Sequence, residues 1–415
     1  MALHQVSGMP KQRLDVVASA GVFLFFALML SVPRGYTLGA VVLLLGGMYY
    51  LAQRPPLMLS GEDKLMAWLL AGMSAMGVFS YLYHDNPTRS LDLVSRYVMV
   101  VPILLWLIKR PPSAKWVWAG LMVGSISAAG VTLWQVYILD FDRARGTTGV
   151  IQFGDLGLIM GVFCAAGFIG LERSGQARDT VWRILLALGA VAGLYASIES
   201  GSRGGWIALP AIIAIFVVAY TSRRNVKYVI AAVLILLVAA ITAITTVPAV
   251  EARYDEAVSD IQRYQAGDPQ TSLGYRLDMY KSLSIIIPQK PWLGWSQHDY
   301  AVEQERLVSS DIVSDVLFKM PNTHNTFLEF WVLHGLLGLL MLLALLLVAF
   351  VYFARRLRAD NKRIQTAAVC GTALIVGYSV FSLSQVMLNR NNTLLFFLIA
   401  VAVFWAMAKP AATDR

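Results

Sequence analysis

The chain contains little charge. Only 14% of its 415 residues are Asp, Glu, Lys or Arg, whereas soluble domains carry about a quarter. Apolar residues make up 57% of the chain and form runs of 17 or more residues between clusters of charge. Such runs are long enough to cross a bilayer as helices, in which every backbone polar group is satisfied internally. The composition therefore excludes a soluble protein and predicts an all-α integral membrane protein.

Cysteine is scarce, and the motifs of several common enzyme classes are absent. Cys164 and Cys370 both lie inside apolar runs, where cysteine is typical of packing and not of a disulfide. No cluster of His, Cys, Asp or Glu has metal-ligand spacing, and no Walker, Rossmann or serine-hydrolase motif occurs in the sequence. We therefore predict neither a cofactor nor a resident metal.

Twelve apolar segments are predicted to be transmembrane helices. If the N-terminus is cytoplasmic, the inner segments carry twenty Lys and Arg residues and the short outer loops carry seven. This asymmetry follows the positive-inside rule, so both termini are predicted to be cytoplasmic. Topology and anionic membrane lipid explain the net charge of +9, and nucleic acid is not expected as a partner. The predicted spans are residues 16–33, 36–53, 65–83, 93–109, 115–139, 150–171, 181–200, 204–221, 227–248, 325–354, 364–388 and 392–409.

One outer loop, residues 249–323, is long enough to fold as a subdomain. Residues 251–266 and 273–287 have the apolar periodicity of amphipathic helices, and the loop is rich in tryptophan and tyrosine. Such aromatic residues favour the membrane surface. We therefore divide the chain into transmembrane helices 1–9 (residues 1–248), this loop subdomain, and transmembrane helices 10–12 (residues 324–415).

The seven cations of the short outer loops are all arginine, whose guanidinium group binds phosphate bidentately. Arg203 lies in a glycine-rich reversal (residues 199–206, ESGSRGGW), at the start of the following helix. Glycine permits close approach of a ligand, and a helix N-terminus favours an anion, although a plain helix hairpin with one anchoring arginine explains the same residues. Arg143 and Arg145, in residues 140–146 (DFDRARG), also lie near a glycine in a short outer loop, but this arrangement is a less specific indication of an anion site. The other four are interpreted as interface anchors: Arg34, Arg89, Arg96 and Arg390.

His324 is the most informative single residue. It precedes the longest apolar segment, residues 325–354, with Asn322 and Thr323 as predicted helix caps. A helix of this length spans about 45 Å against a hydrocarbon core of about 30 Å, so His324 is predicted near the outer headgroups. A helix N-terminus disfavours imidazolium, and a neutral ring can accept a proton from a hydroxyl; a structural role is the alternative. Glu329, on roughly the opposite helix face, is a poor candidate to orient the ring.

Several short motifs form an ordered set. Residues 323–328 (THNTFL) contain a His-Asn-x-x-Leu segment, and residues 334–338 (HGLLG) follow in the same helix. Residues 202–204 (SRG) form a Ser-Arg-Gly turn, while residues 274–276 (GYR) and 291–295 (PWLGW) place an arginine, a helix and a Pro-x-x-Gly turn in the long loop. In these motifs, their order, the topology and the single long loop, most of the chain resembles the O-antigen ligase/polymerase superfamily of bacterial inner membranes.

The chain departs from the family pattern at three places. Tyr275 is inserted between Gly274 and Arg276, and Trp295 replaces the second glycine of the loop pattern. Residues 151–153 (IQF) stand where Pro-Asn often follows an upstream arginine and glycine, so Arg145 matches that element only loosely. The departures weaken the match at Arg145 more than the match at His324, Arg203 and Arg276.

The resemblance implies a metal-independent, inverting glycosyltransferase of the GT-C type, with a periplasmic active site. Its donor would be a polysaccharide on undecaprenyl pyrophosphate, and its acceptor a hydroxyl of the lipid A-core oligosaccharide, both presented by membrane lipids. His324 would be the catalytic base, and Arg203 and Arg276 would bind the pyrophosphate. The further predicted substrate contacts are Arg143, Arg145, His298, Asn325 and Tyr275.

Three other functions are weighed against this one. An O-antigen polymerase would use a second lipid-linked glycan as acceptor, and a protein O-oligosaccharyltransferase would use a protein. The chain ends six residues after Lys409, which favours the ligase over transfer to protein. A transporter would require charges at mid-membrane and related halves, whereas the predicted spans contain few charges and no internal symmetry.

Overall fold

The computed structural model describes residues 11–172, 175–222, 224–246, 248–266, 268, 270–319 and 322–410. These residues form helices, turns and loops, and no strand occurs among them. The α-helices in this part of the chain are α1 (Lys11–Ala27), α2 (Tyr36–Ala52), α3 (Gly61–Tyr83), α4 (Ser90–Lys109), α5 (Ala114–Leu133), α6 (Val150–Gly170), α7 (Ala177–Ser200), α8 (Arg203–Ile207), α9 (Leu209–Tyr220), α10 (Val226–Thr246), α11 (Pro248–Gln265), α12 (Ser272–Ile286), α13 (Gln297–Ser309), α14 (Thr326–Ala354), α15 (Lys362–Phe381) and α16 (Asn391–Met407).

Seven of these helices are long and apolar enough to cross a membrane, namely α3, α4, α5 with its π-helical continuation to Ile138, α6, α7, α14 and α15. The outside of the bundle is apolar: Trp68 is 76% exposed and Leu45 is 60% exposed, as a lipid-facing surface requires. The prediction of an all-α, multi-pass membrane protein is confirmed. Each of the twelve predicted spans contains a helix, but the number of twelve crossings stays a prediction.

Among the seven helices that are long enough to cross the membrane, α6 and α15 are the most deeply buried. Small residues bring α6 and α7 into direct contact, since a Cβ on Gly193 would lie 2.5 Å from the carbonyl oxygen of Gly157. Close backbone approach of this kind stabilises helix pairs in lipid through packing. Because α7 leads into the hairpin that carries Arg203, its packing on the buried helix α6 positions that hairpin.

The long loop is a packed helical unit. Helices are present at both predicted places, as α11 and α12, and a third helix, α13, was not predicted because its sequence (QHDYAVEQERLVS) has few apolar residues. Met279 and Leu283 of α12, Leu307 of α13 and Trp295 pack into one apolar cluster. That cluster also contains Val332 of α14, so the loop is docked on the membrane helix that follows His324.

The helix predicted over residues 325–354 is present as α14, but it is interrupted at Gly335. Gly335 has φ 67° and ψ −173°, a conformation that interrupts α14 after its third turn. The freed carbonyl of Val332 accepts a hydrogen bond from Trp295 N (2.7 Å), and Leu336 N donates to Pro291 O (2.8 Å). The PWLGW turn therefore pairs with backbone groups on both sides of Gly335, as a helix break inside a membrane protein requires.

We expect Gly335→Ala to destabilise the protein by about 2–6 kcal/mol, the sum of a strained backbone and an overpacked contact. A Cβ at this position would lie 2.0 Å from the carbonyl oxygen of Trp292, and the positive φ is unfavourable for alanine. The measurement is loss of monodisperse protein on heating in detergent. Gly130→Ala is the matched control, because a Cβ there meets nothing within 4 Å. Equal thermal stability of the two variants would contradict this account of the break.

Candidate active site

Three motif-bearing segments meet at the turn that follows α15, residues 382–385. Thr326 N, two residues after His324, donates to Ser382 O (2.8 Å). Tyr280 of α12, one turn after Arg276, donates its hydroxyl hydrogen to Leu383 O (2.8 Å). On the third side, a Cβ on Gly204, next to Arg203, would lie 2.3 Å from Ser384 Oγ. The turn thus brings together Gly204, Tyr280 and Thr326, which belong to three segments that are distant in sequence.

The hairpin between α7 and α8 is held from two directions. Gly201 has φ +62° and ends α7, and Ser202 Oγ donates to Asp155 Oδ1 of α6 (2.7 Å). Arg143 donates to Ser200 O (2.7 Å) and to Gly201 O (3.0 Å). The backbone of Arg203 begins α8, while its side chain lies outside what the structure describes. Arg143 therefore orders this hairpin, and its contact with substrate stays a prediction.

His324 has an unusual local structure. Its φ is +53°, a left-handed conformation that is uncommon for residues other than glycine. Thr323 N donates to Glu329 Oε2 (3.0 Å), and His324 N donates to Asn322 Oδ1 (3.1 Å). These two hydrogen bonds fix the loop that carries His324. The Nδ1 atom of His324 is buried and has no hydrogen-bond partner among the described residues. Strained backbone and an unpaired buried ring nitrogen are typical of functional positions.

The surroundings of His324 keep its ring neutral. The pKa of the imidazole is lowered from 6.5 to about 4, chiefly by burial and additionally by the positive charges of Arg276 and Arg390. Arg276 also interacts electrostatically with Asp155, the carboxylate beneath the hairpin. The positive charge of Arg276 therefore acts on both the carboxylate beneath the hairpin and His324. A neutral imidazole beside a guanidinium group can accept a proton while the guanidinium binds an anion.

The remaining predicted contacts have different surroundings. Asn325 is the N-cap of α14, in place of the predicted Asn322 or Thr323, and its Oδ1 accepts from Phe327 N and Leu328 N. Arg145 is exposed and lies over the ring of Phe141, 4.4 Å from its centroid. His298 is exposed at the start of α13, and Tyr275 is half-buried in α12 beside Arg276. Asn325 therefore has a structural role. Substrate contact by Asn325, Arg145, His298 and Tyr275 stays a prediction.

Sequence reasoning did not identify three residues that shape the site. Asp155 anchors the hairpin, and Glu329 anchors the His324 loop through Thr323 N although it does not touch the ring. Arg390, interpreted from the sequence as an interface anchor, carries a positive charge that lowers the pKa of His324. The sequence signal for Asp155 was an acidic residue inside an apolar run. Such residues are energetically unfavourable in lipid and are often functional. Within the described residues no group of three or more His, Cys, Asp or Glu is arranged to hold a metal ion.

Comparison with known proteins agrees with the motif set. A sequence profile described as O-antigen ligase matches residues 188–343, which include Arg203, Arg276 and His324. A Haemophilus influenzae protein with the name "uncharacterized protein" is 27% identical over 386 residues, 92% of this chain and 96% of that protein. The Escherichia coli O-antigen ligase is 28% identical over 223 residues, 51% of this chain and 53% of that protein. Residues 188–343 are therefore similar to the O-antigen ligase family, and this region contains the Arg203, Arg276 and His324 motifs.

Proposed function

We propose that the chain transfers a glycan from undecaprenyl pyrophosphate to a hydroxyl of the lipid A-core oligosaccharide. The reaction takes place at the periplasmic face of the bacterial inner membrane, with both termini of the chain in the cytoplasm. The observation that carries the proposal is the neutral, strained His324 beside Arg276, on a turn shared with the Arg203 hairpin. Similarity to the E. coli O-antigen ligase supports this choice of substrates.

The residues of the site suit a single displacement with inversion. His324 accepts the proton of the acceptor hydroxyl while its oxygen bonds to the anomeric carbon of the donor sugar. The bond from that carbon to the diphosphate oxygen breaks, and undecaprenyl diphosphate leaves with the bonding electrons. Arg276 and Arg203 stabilise the developing charge, because guanidinium groups bind phosphate bidentately. His324 then releases its proton to solvent, and no metal ion takes part.

The pH dependence of kcat/KM tests the state of His324. A base with a pKa of about 4 is already unprotonated at neutral pH, so kcat/KM should stay constant as pH falls through 6.5 and should inflect near pH 4. The value of kcat reports the donor complex, in which the anionic diphosphate favours imidazolium and moves the inflection to higher pH. An inflection of kcat/KM at pH 6.5 would contradict the neutral, buried ring.

A competition assay tests the choice of substrates. Purified protein is given one lipid-linked donor together with three acceptors: core-bearing lipid A, a second lipid-linked glycan, and a peptide. We expect the glycan to be transferred to core-bearing lipid A. A chelator should leave the rate of this transfer unchanged. Extension of the lipid-linked glycan would instead identify a polymerase, and modified peptide would identify a protein O-oligosaccharyltransferase. Strong inhibition by the chelator would contradict the metal-independent reaction.

A further inference from the structure

A cavity of about 510 Å³ lies beside the candidate active site. Its wall is formed by α3, α4, the first turns of α14 and residues 388–392, which connect α15 to α16. This volume falls within the range of about 300–1,000 Å³ that is usual for small-ligand pockets. Arg390 lines the cavity and also acts on His324, whereas Arg276 does not line it. The cavity therefore adjoins the site on the side of Arg390.

Polar atoms without partners point to the kind of ligand. Ser90 Oγ, Tyr97 OH and His334 Nδ1 are buried atoms of residues that line the cavity, and none has a hydrogen-bond partner among the described residues. Tyr97 as a whole is only 4% exposed. Buried polar groups are almost always paired in folded proteins, so three unpaired groups on residues that line one cavity favour a ligand with several hydroxyl groups.

Charged and aromatic groups complete a lining that suits an anionic saccharide. Arg89 and Arg390 supply two guanidinium groups, which favour a phosphate or an acidic sugar. Tyr81 presents an aromatic ring to the cavity. Glu329 lines the cavity while its carboxylate accepts from Thr323 N (3.0 Å) and Asn389 Nδ2 (3.2 Å). The residue that holds the His324 loop thus also contacts the space in which a ligand would lie.

We propose that this cavity, between α3, α4, α14 and residues 388–392, binds the saccharide of the acceptor, a phosphorylated or otherwise anionic oligosaccharide whose free hydroxyl points to His324. The inference rests on the proposed function. In a displacement with inversion the hydroxyl and the leaving diphosphate lie on opposite sides of the anomeric carbon. Glu329 lines the cavity and holds the His324 loop through Thr323 N, so a saccharide in the cavity places its hydroxyl beside that loop and leaves Arg276 to the diphosphate.

Binding and kinetics test the site with two variants. Tyr97→Phe removes one hydroxyl and Arg89→Gln removes one exposed guanidinium group; Tyr83→Phe, 58% exposed on α3 and outside the cavity, is the matched control. The probe is the core oligosaccharide freed of lipid A, with and without its phosphates, titrated calorimetrically into the full-length protein in nanodiscs. Melting temperatures of all variants are measured in parallel.

We expect Tyr97→Phe to raise the Kd of the oligosaccharide and the KM of the acceptor about three- to tenfold, the value of one neutral hydrogen bond. Arg89→Gln should weaken only the phosphorylated probe, by a similar factor. The KM of the donor and all constants of Tyr83→Phe should stay unchanged. A raised donor KM with an unchanged acceptor KM, or no effect of either cavity variant in an active protein, would overturn the acceptor site alone. Wild-type protein that transfers glycan to none of the acceptors would overturn the proposed function itself.

Discussion

Replacement of His324 by alanine should lower kcat by roughly 10²–10⁴-fold, the usual contribution of a general base. The imidazole of His324 is half-buried, its pKa is lowered by burial and by the charge of Arg276, and its ring nitrogen Nδ1 has no hydrogen-bond partner in the described part of the chain. Removal of the ring leaves the acceptor hydroxyl with no group to take its proton at the moment of attack. The rate is measured as transfer to core-bearing lipid A at saturating concentrations of both substrates.

The backbone at position 324 calls for a second variant. Because φ is +53°, alanine there adds strain, and lost activity could arise from a displaced loop. Asparagine tolerates the left-handed conformation but cannot act as a base, so His324→Asn removes the chemistry and retains the backbone preference. We expect both variants to be equally inactive and His324→Asn to melt at the wild-type temperature. Wild-type kcat in His324→Asn would rule out the base.

The parts of the fold that sequence patterns predicted are those determined locally. Long apolar runs form helices, and the helices predicted at residues 251–266 and 273–287 are present as α11 and α12, since neighbours in a helix are also neighbours in sequence. His324 and Arg203 stood out because a histidine at a helix start and an arginine between glycines are local patterns. Their assignment to one site came from the resemblance of the motifs to a family and not from spacing.

The parts that could not be predicted depend on contacts between distant segments. The break at Gly335 exists because Pro291 and Trp295 satisfy the freed backbone groups, and nothing within α14 alone requires it. Arg390 has the sequence context of an interface anchor, and only the position of the α15–α16 connection brings it close to His324. Glu329 lies on another helix face from His324, but the loop folds back so that Thr323 reaches it.

Two substitutions of Arg276 should separate its charge from its shape. Arg276→Lys keeps the positive charge beside His324 but lacks the bidentate fork, so kcat should fall roughly 10²–10³-fold, as for loss of one oxyanion donor. Arg276→Gln removes the charge as well, and the pKa of His324, which Arg276 lowers, should rise. The inflection of residual kcat/KM should therefore move from about pH 4 toward 6.5 in Arg276→Gln and stay low in Arg276→Lys.

Arg263→Lys is the matched control, because Arg263 lies on α11 of the same loop subdomain and pairs with Asp268 at 2.6 Å on the exposed surface. It should leave both the rate and the pH profile unchanged. Wild-type activity in Arg276→Lys would show that a point charge is enough and that no fork binds the diphosphate. An unchanged inflection in Arg276→Gln would mean that burial and Arg390 keep the ring neutral without Arg276, which would then act only on the leaving group.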